Sequence, residues 1–271
     1  MKTIFFLLIS GIFLYVLLTL VLFFMQRSLL YFPSNERLDL SQYAAIGLQE
    51  VKLKTEDGLE LTSWFMRPDP TRDGRTFLLF HGNDGHIGHR VEKFSRILGA
   101  GYGFLLLEYR GYGGNPGKPT EMGLHTDARA ALDFLASNEI PYQKVILYGE
   151  SLGCGIAVRA ALEHHFSAVI LEAPYTSIAD VAQRQYWFLP ARWLVRDLYD
   201  TLPIINQITS PVVVMHGEQD EVIHVSFGKR VFEAAPEPKT AWFFEGAGHN
   251  NLNEFGFDIQ LLNYLEGNSS R

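Results

Sequence analysis

The sequence predicts an α/β chain, doubly wound, with a mostly parallel sheet covered by helices. Three observations predict it. Short apolar runs at residues 77–80, 104–107, 145–148, 168–171, 212–215 and 241–244 alternate with segments of helical length. Strands apolar on both faces belong in a sheet buried between helices. Upstream, residues 51–55 and 59–65 alternate apolar and polar around Asp57-Gly58, a hairpin signature, so the sheet starts antiparallel. The run at 145–148 then passes through Gly149-Glu150-Ser151-Leu152-Gly153 into a small-residue stretch, 154–158, of the kind that packs closely as a helix.

In chain order, the first element is apolar. Residues 3–25 carry no charge and are rich in Leu, Ile and Phe. As a helix this run is about 34 Å long, enough to cross a bilayer core. It ends at Phe24-Met25-Gln26-Arg27 without a small-x-small cleavage site, which favours a retained anchor over a signal peptide. The chain therefore divides into a transmembrane anchor at 1–26, a juxtamembrane segment at 27–50 and one large domain at 51–271. Tyr31, Phe32 and Pro33 are placed to rest at the membrane interface. Lys2 on one side and Arg27 and Arg37 on the other nearly balance, so which side holds the large domain does not follow. A net charge of −7 with no basic run argues against nucleic acid as a partner. The single cysteine, Cys154, permits no intrachain disulfide and reads as packing.

The strands that follow place chemistry at their ends. A serine between two glycines can sit on a sharp strand-to-helix turn, where a Cβ on either glycine would strike neighbouring backbone. Asp220 follows the run at 212–215, and His249 follows the run at 241–244. The carboxyl ends of parallel strands meet at one edge, so Ser151, Asp220 and His249 are expected to converge there. His224 also follows Asp220 but precedes the last strand, and reads as a loop residue. His81, His86 and His89 are separated by glycines and lack a matching acidic motif, so no metal is expected. No cofactor is implied. Between Tyr175 and Ser210 lies an unusually long connection, 175–210, rich in aromatics, of the length that serves as a lid or binding element.

These motifs carry a resemblance. With His81-Gly82-Asn83 after one strand, Tyr109-Arg110-Gly111-Tyr112-Gly113 after the next, the elbow at 149–153 and Leu171-Glu172-Ala173-Pro174-Tyr175, the chain resembles the serine hydrolases of the α/β-hydrolase superfamily. The likeness is greatest to a membrane-anchored branch and runs from about Val51 to Leu265. It implies the α/β-hydrolase fold, with Ser151 as nucleophile, His249 as general base and Asp220 as the acid that orients it. Glu172 is the alternative carboxylate. It further implies that the oxyanion hole is built at Leu152 and at Asn83, with Asp84 facing solvent where relatives carry a small apolar residue. It places a small cap in residues 175–210, with Tyr186, Trp187, Phe188 and Trp193 as substrate-binding candidates.

The expected function is a membrane-anchored serine hydrolase, acting on carboxylic esters or thioesters of hydrophobic acyl groups, with membrane lipid as its surroundings. Two alternatives stay open: a serine amidase or peptidase using the same three residues, and a membrane-tethered binding protein without the reaction.

Overall fold

The computed structural model describes the chain except residues 35, 37, 38, 42, 44–46, 73 and 269–271. Arg37, weighed above for orientation, lies outside the described residues. Helix α1, Lys2–Leu30, has no fully buried residue. The main sheet follows, with β1 Gln49–Lys54, β2 Glu60–Met66, β3 Thr76–Phe80, β4 Gly103–Leu107, β5 Val145–Glu150, β6 Ala168–Glu172, β7 Val212–Gly217 and β8 Lys239–Phe244. Their order across the sheet is β8-β7-β6-β5-β3-β4-β2-β1. Only β2 runs against the others, through its antiparallel pairing with β1 and β4. The expected hairpin and the six apolar runs are therefore all strands of one mixed sheet.

Alternation along each strand sorts its side chains to two cores, as the pleat requires. Leu78 and Phe80 of β3 and Val145 and Leu147 of β5 point to one core, which α4 (Glu121–Ser137), α5 (Leu152–Ala160) and α8 (Val225–Ala234) cover. Phe77, Leu79, Ile146 and Tyr148 point to the other, under α2 (Gly88–Lys93), α3 (Ser95–Gly99) and α9 (Phe257–Asn268). Strands buried on both faces carry few polar residues, which is why these runs are legible as apolar blocks. Between β6 and β7, in the connection expected to form a cap, stand two short helices, α6 (Ile178–Gln185) and α7 (Ala191–Leu194).

The start of the chain departs from the division expected from sequence. The helix continues past residue 26 to Leu30, and the next residues belong to the large domain. Tyr31 is a core residue, 4% exposed, not an interfacial one. Its hydroxyl lies 2.9 Å from that of Tyr199. Phe32 and Pro33 pair in parallel with Asp84 and Gly85 in a separate two-stranded ribbon. A chain leaving a helix must find partners for its backbone groups. Here the turn after β3 supplies them, through Phe32 N–H to Asn83 O (2.9 Å) and Ser34 N–H to Gly85 O (3.2 Å).

Candidate active site

Ser151 sits between β5 and α5 with φ 52° and ψ −115°, in the left-handed half of backbone space. Such a conformation costs a non-glycine residue about 1–3 kcal/mol and persists only where its surroundings dictate it. The two glycines provide that constraint. A Cβ on Gly153 would come within 2.0 Å of the Phe80 carbonyl oxygen, and one on Gly149 within 2.6 Å of the Gly153 oxygen. Both obstacles are backbone, so the helix start and the end of β3 approach as closely as they do because no side chain intervenes. The Ser151 N–H donates to Glu172 O at 2.9 Å, fixing the turn to β6.

The three residues expected at the sheet edge are hydrogen-bonded in series. His249 Nε2 is 3.0 Å from Ser151 Oγ, and His249 Nδ1 is 2.7 Å from Asp220 Oδ2. A carboxylate accepts only, so Nδ1 carries the proton and Nε2 is left to accept from the serine hydroxyl. Asp220 is 3% exposed. Its other oxygen accepts from the N–H groups of Val222 (2.9 Å) and Ile223 (2.7 Å). Burial acts to raise this carboxyl's pKa. The bonds from His216 and His249 and the positive charge His249 can carry outweigh that, and hold it well below the usual carboxylate range. It is therefore held in its ionised form at neutral pH. His216 lies beneath it, with Nε2 donating to Ile223 O at 2.7 Å, and shapes the loop that presents Asp220. His224 caps α8, its ring nitrogen accepting from Ser226 N–H, and takes no part.

Glu172, the alternative acid, is committed elsewhere. It bonds to Lys93 Nζ (2.7 and 2.8 Å) and to the Tyr148 hydroxyl beneath the elbow. Glu150, inside the elbow motif, joins the same buried network through Arg90 (3.3 Å) and Lys93 (3.4 Å). Burial opposes ionisation of Glu150, but Lys93, Arg90 and His81 override it and bring its pKa down to about 2. Arg90 also donates to Asp84 O at 3.1 Å, tying the elbow to the turn after β3. Cys154 is buried with its thiol pKa pushed up by burial, so it is packing rather than a second nucleophile.

Of the two residues expected to cradle an oxyanion, Leu152 opens α5, so its N–H has no acceptor within the helix. Asn83 directs its side-chain amide to Leu30 O (2.7 Å), and its carbonyl accepts from Phe32 N–H and the Tyr112 hydroxyl (2.9 Å each). With its carbonyl occupied in this way, its main-chain N–H is the backbone group left at the turn. Asp84 is exposed, as expected. His81, behind the turn, is buried; its ring stacks on Tyr109 at 4.1 Å, and its carbonyl accepts from the Tyr109 hydroxyl. Arg110 braces more distant parts, joining Asp57 of the first hairpin to Asp127 of α4.

A cavity of about 400 Å³ opens over Ser151 and Leu152, in the size range of small-molecule sites. Its lining is chiefly apolar, from α6, α7 and the residues between them, and it includes Tyr186. The other three substrate-binding candidates do not line it. Trp187 is 79% exposed, Trp193 is 89% exposed, and Phe188 lies outside as well. Aromatic content shows that the connection has an apolar face, but not which of its residues turn inward. The opposite wall, unforeseen from sequence, is α1, through residues that include Leu22, Phe23 and Leu30. The available signal is the placement of Gln26 and Arg27 in helical register with them.

Comparison with known proteins agrees with this architecture. Residues 72–205 match the family model described as serine aminopeptidase, S33. An uncharacterized protein of Mycobacterium tuberculosis is 36% identical over 227 residues, covering 83% of this chain and 81% of that one. The human alpha/beta hydrolase domain-containing protein 17B is 35% identical over 216 residues, covering 77% of this chain and 72% of its own. Among solved structures, the Pyrococcus furiosus esterase Pf2001 superimposes with a TM-score of 0.67 at 18% identity, over 87% of this chain and 95% of that one. An alpha-beta hydrolase from Vibrio vulnificus superimposes with a TM-score of 0.69 at 18% identity, over 84% and 87%. On the extent of the sequence matches and the fold that carries them, this chain is a hydrolase and belongs to the α/β-hydrolase superfamily.

Proposed function

We propose that the protein is a membrane-anchored serine hydrolase that cleaves carboxylic esters or thioesters of hydrophobic acyl groups through an acyl-enzyme on Ser151. The observation that carries this reading is the unbroken series Ser151–His249–Asp220, 3.0 and 2.7 Å between partners, with Ser151 lining an apolar cavity. Ser151 Oγ attacks the acyl carbon while His249 Nε2 takes its proton. Asp220 holds the ring in the productive tautomer and stabilises its cationic form. The carbonyl oxygen becomes an oxyanion facing the N–H groups of Leu152 and Asn83, each such donor being worth about 10²- to 10³-fold in rate. Collapse of the intermediate expels the alcohol or thiol, which takes the proton from His249. Water then repeats the sequence on the acyl-enzyme and releases the acid.

The composition of the cavity supports an acyl group over a peptide amino terminus. An aminopeptidase needs a carboxylate free to receive an ammonium group. Asp197, the acidic residue in the lining, is already held by Arg27 at 2.8 Å. The anchoring half of the reading is supported by the length and exposed apolar surface of α1. The test is labelling by a fluorophosphonate probe, with turnover of p-nitrophenyl esters compared with aminoacyl amides. Labelling is expected for the native protein and not for Ser151→Ala. Faster cleavage of the amides would overturn the ester assignment.

A further inference from the structure

Helix α1 divides into two unlike stretches. Residues 2–18 are exposed on every side, whereas Thr19, Leu22, Phe23, Gln26, Arg27 and Leu30 are partly buried. Those positions lie three and four apart, which is one face of a helix. A single stripe is therefore docked on the catalytic domain. Its polar members fix the register against the cap. Gln26 accepts from Arg196 N–H (2.7 Å) and donates to Leu194 O (3.3 Å), and Arg27 makes a two-pronged pair with Asp197 (2.8 and 3.1 Å). Its apolar members, Leu22, Phe23 and Leu30, line the cavity above Ser151. Leu22 precedes Leu30 by two turns, about 12 Å along the axis. The cavity thus follows α1 away from the serine and into the uncharged run.

Beyond the cavity the cap keeps to the helix. The Tyr15 hydroxyl donates to Phe188 O at 3.1 Å. Tyr15 lies about 16 Å along the helix from Gln26, well inside the apolar run. The cap apex beside it carries Trp187 and Phe188, 79% and 46% exposed with ring centroids 5.9 Å apart, and Trp193 of α7 is 89% exposed. Large aromatic surfaces left open on one short connection mark a contact surface, since apolar area is stabilised by removal from water. They are continuous with α1, whose own exposed face requires hydrocarbon around it. Arg27 and Arg196 stand at the opposite, polar end of the stripe, the level at which cations meet headgroups.

We propose that this cavity is a lipid-facing site. With α1 across a bilayer, the cap apex enters the same leaflet, the cavity opens sideways into the hydrocarbon, and α1 supplies the wall that holds the acyl chain of a membrane lipid. The entry geometry rests on the membrane-anchored reading above, and the bond cleaved rests on its hydrolytic half.

Two measurements on full-length protein in lipid nanodiscs test it. In the first, tryptophan emission is recorded with phosphatidylcholine brominated along its acyl chains, and the emission of a Trp187→Phe/Trp193→Phe variant is subtracted. At least half of the difference emission is expected to be quenched; a difference emission unaffected by bromine overturns the proposal. In the second, kcat/KM is measured for long-chain and short-chain p-nitrophenyl esters. Leu22→Trp, which fills the wall, is expected to lower the long-to-short ratio at least tenfold, whereas Leu14→Trp, on the exposed part of α1, leaves the ratio unchanged. An unchanged ratio in Leu22→Trp, or an equal fall in both variants, overturns the acyl wall. Absence of any ester turnover or fluorophosphonate labelling in the native protein would instead sink the hydrolytic reading, with the quenching result still deciding the lipid-facing site.

Discussion

On the floor of the site, Ser151 is held by close-packed backbone and paired charges. Its flanking glycines touch backbone, its N–H is bonded to β6, and Glu150, Glu172, Arg90 and Lys93 form an ionic network directly beneath. On the roof, α6, α7 and α1 meet through apolar side chains, a few hydrogen bonds and the Arg27–Asp197 and Arg192–Asp180 pairs, and the aromatic apex is bare. On the proposed hydrolytic function, the difference separates two requirements. Positioning a nucleophile to within a fraction of an ångström needs packed backbone and paired charges. Admitting a greasy, variable ligand needs a surface whose contacts are non-directional. Close backbone packing and buried paired charges are concentrated below Ser151, and exposed apolar surface above it.

That contrast can be broken or sharpened by substitution. The largest effect is expected within the series of three residues itself. Asp220→Asn should leave the fold intact and lower turnover by about 10⁴-fold, through loss of the productive tautomer; near-normal turnover would return the acid role to Glu172. Next is the floor's backbone packing. Gly153→Ala places a methyl 2.0 Å from the Phe80 oxygen. It should destabilise by more than about 4 kcal/mol, or prevent folding, because neither backbone can retreat; a denaturation midpoint close to the native one would show that the elbow is softer than described. Lys93→Met removes the cation shared by Glu150 and Glu172. Breaking a buried pair costs about 3–5 kcal/mol by leaving its partner uncompensated, and chemical denaturation would register it.

A smaller, pH-dependent effect follows from Glu150. Its carboxyl titrates at about 2 in the folded chain against an ordinary value of 4.5. A folded pKa lowered in this way contributes stability that is fully present above pH 4.5 and is lost as the pH falls toward 2. The denaturation midpoint should therefore drop between those values, with a shallower drop in Glu150→Gln; equal slopes would remove Glu150 from the cause. The smallest effect is expected on the roof. Trp187→Ser should change stability in detergent by no more than about 0.5 kcal/mol, since the ring touches little else. A loss several times larger would make the apex part of the core and erase the distinction between floor and roof.

Much of the floor is legible in the amino-acid sequence. Strands buried on both faces advertise themselves as unbroken apolar runs, and a serine between glycines at the end of one marks a turn that only glycine permits. Asp220 and His249 follow from their place just after strands, because parallel topology converts position at a strand's end into proximity. The roof is legible only as composition. Tyr186, Trp187, Phe188 and Trp193 are alike in sequence, yet one lines the cavity and three do not. Tyr31 reads as interfacial and is buried, because the hydroxyl of Tyr199, distant in the chain, gives it a partner.

The sequence alone therefore determined the sheet, the elbow, and which hydroxyl, imidazole and carboxylate would share an edge, since these depend on local periodicity and on the direction of strands. Tertiary structure alone decided that the apolar helix at the start of the chain is a wall of the cavity as well as an appendage, through pairs such as Arg27 with Asp197 and Gln26 with Leu194. The physical reason is that an apolar face records the need for cover and not the identity of what covers it. That identity is set by which distant surfaces the folded backbone brings together.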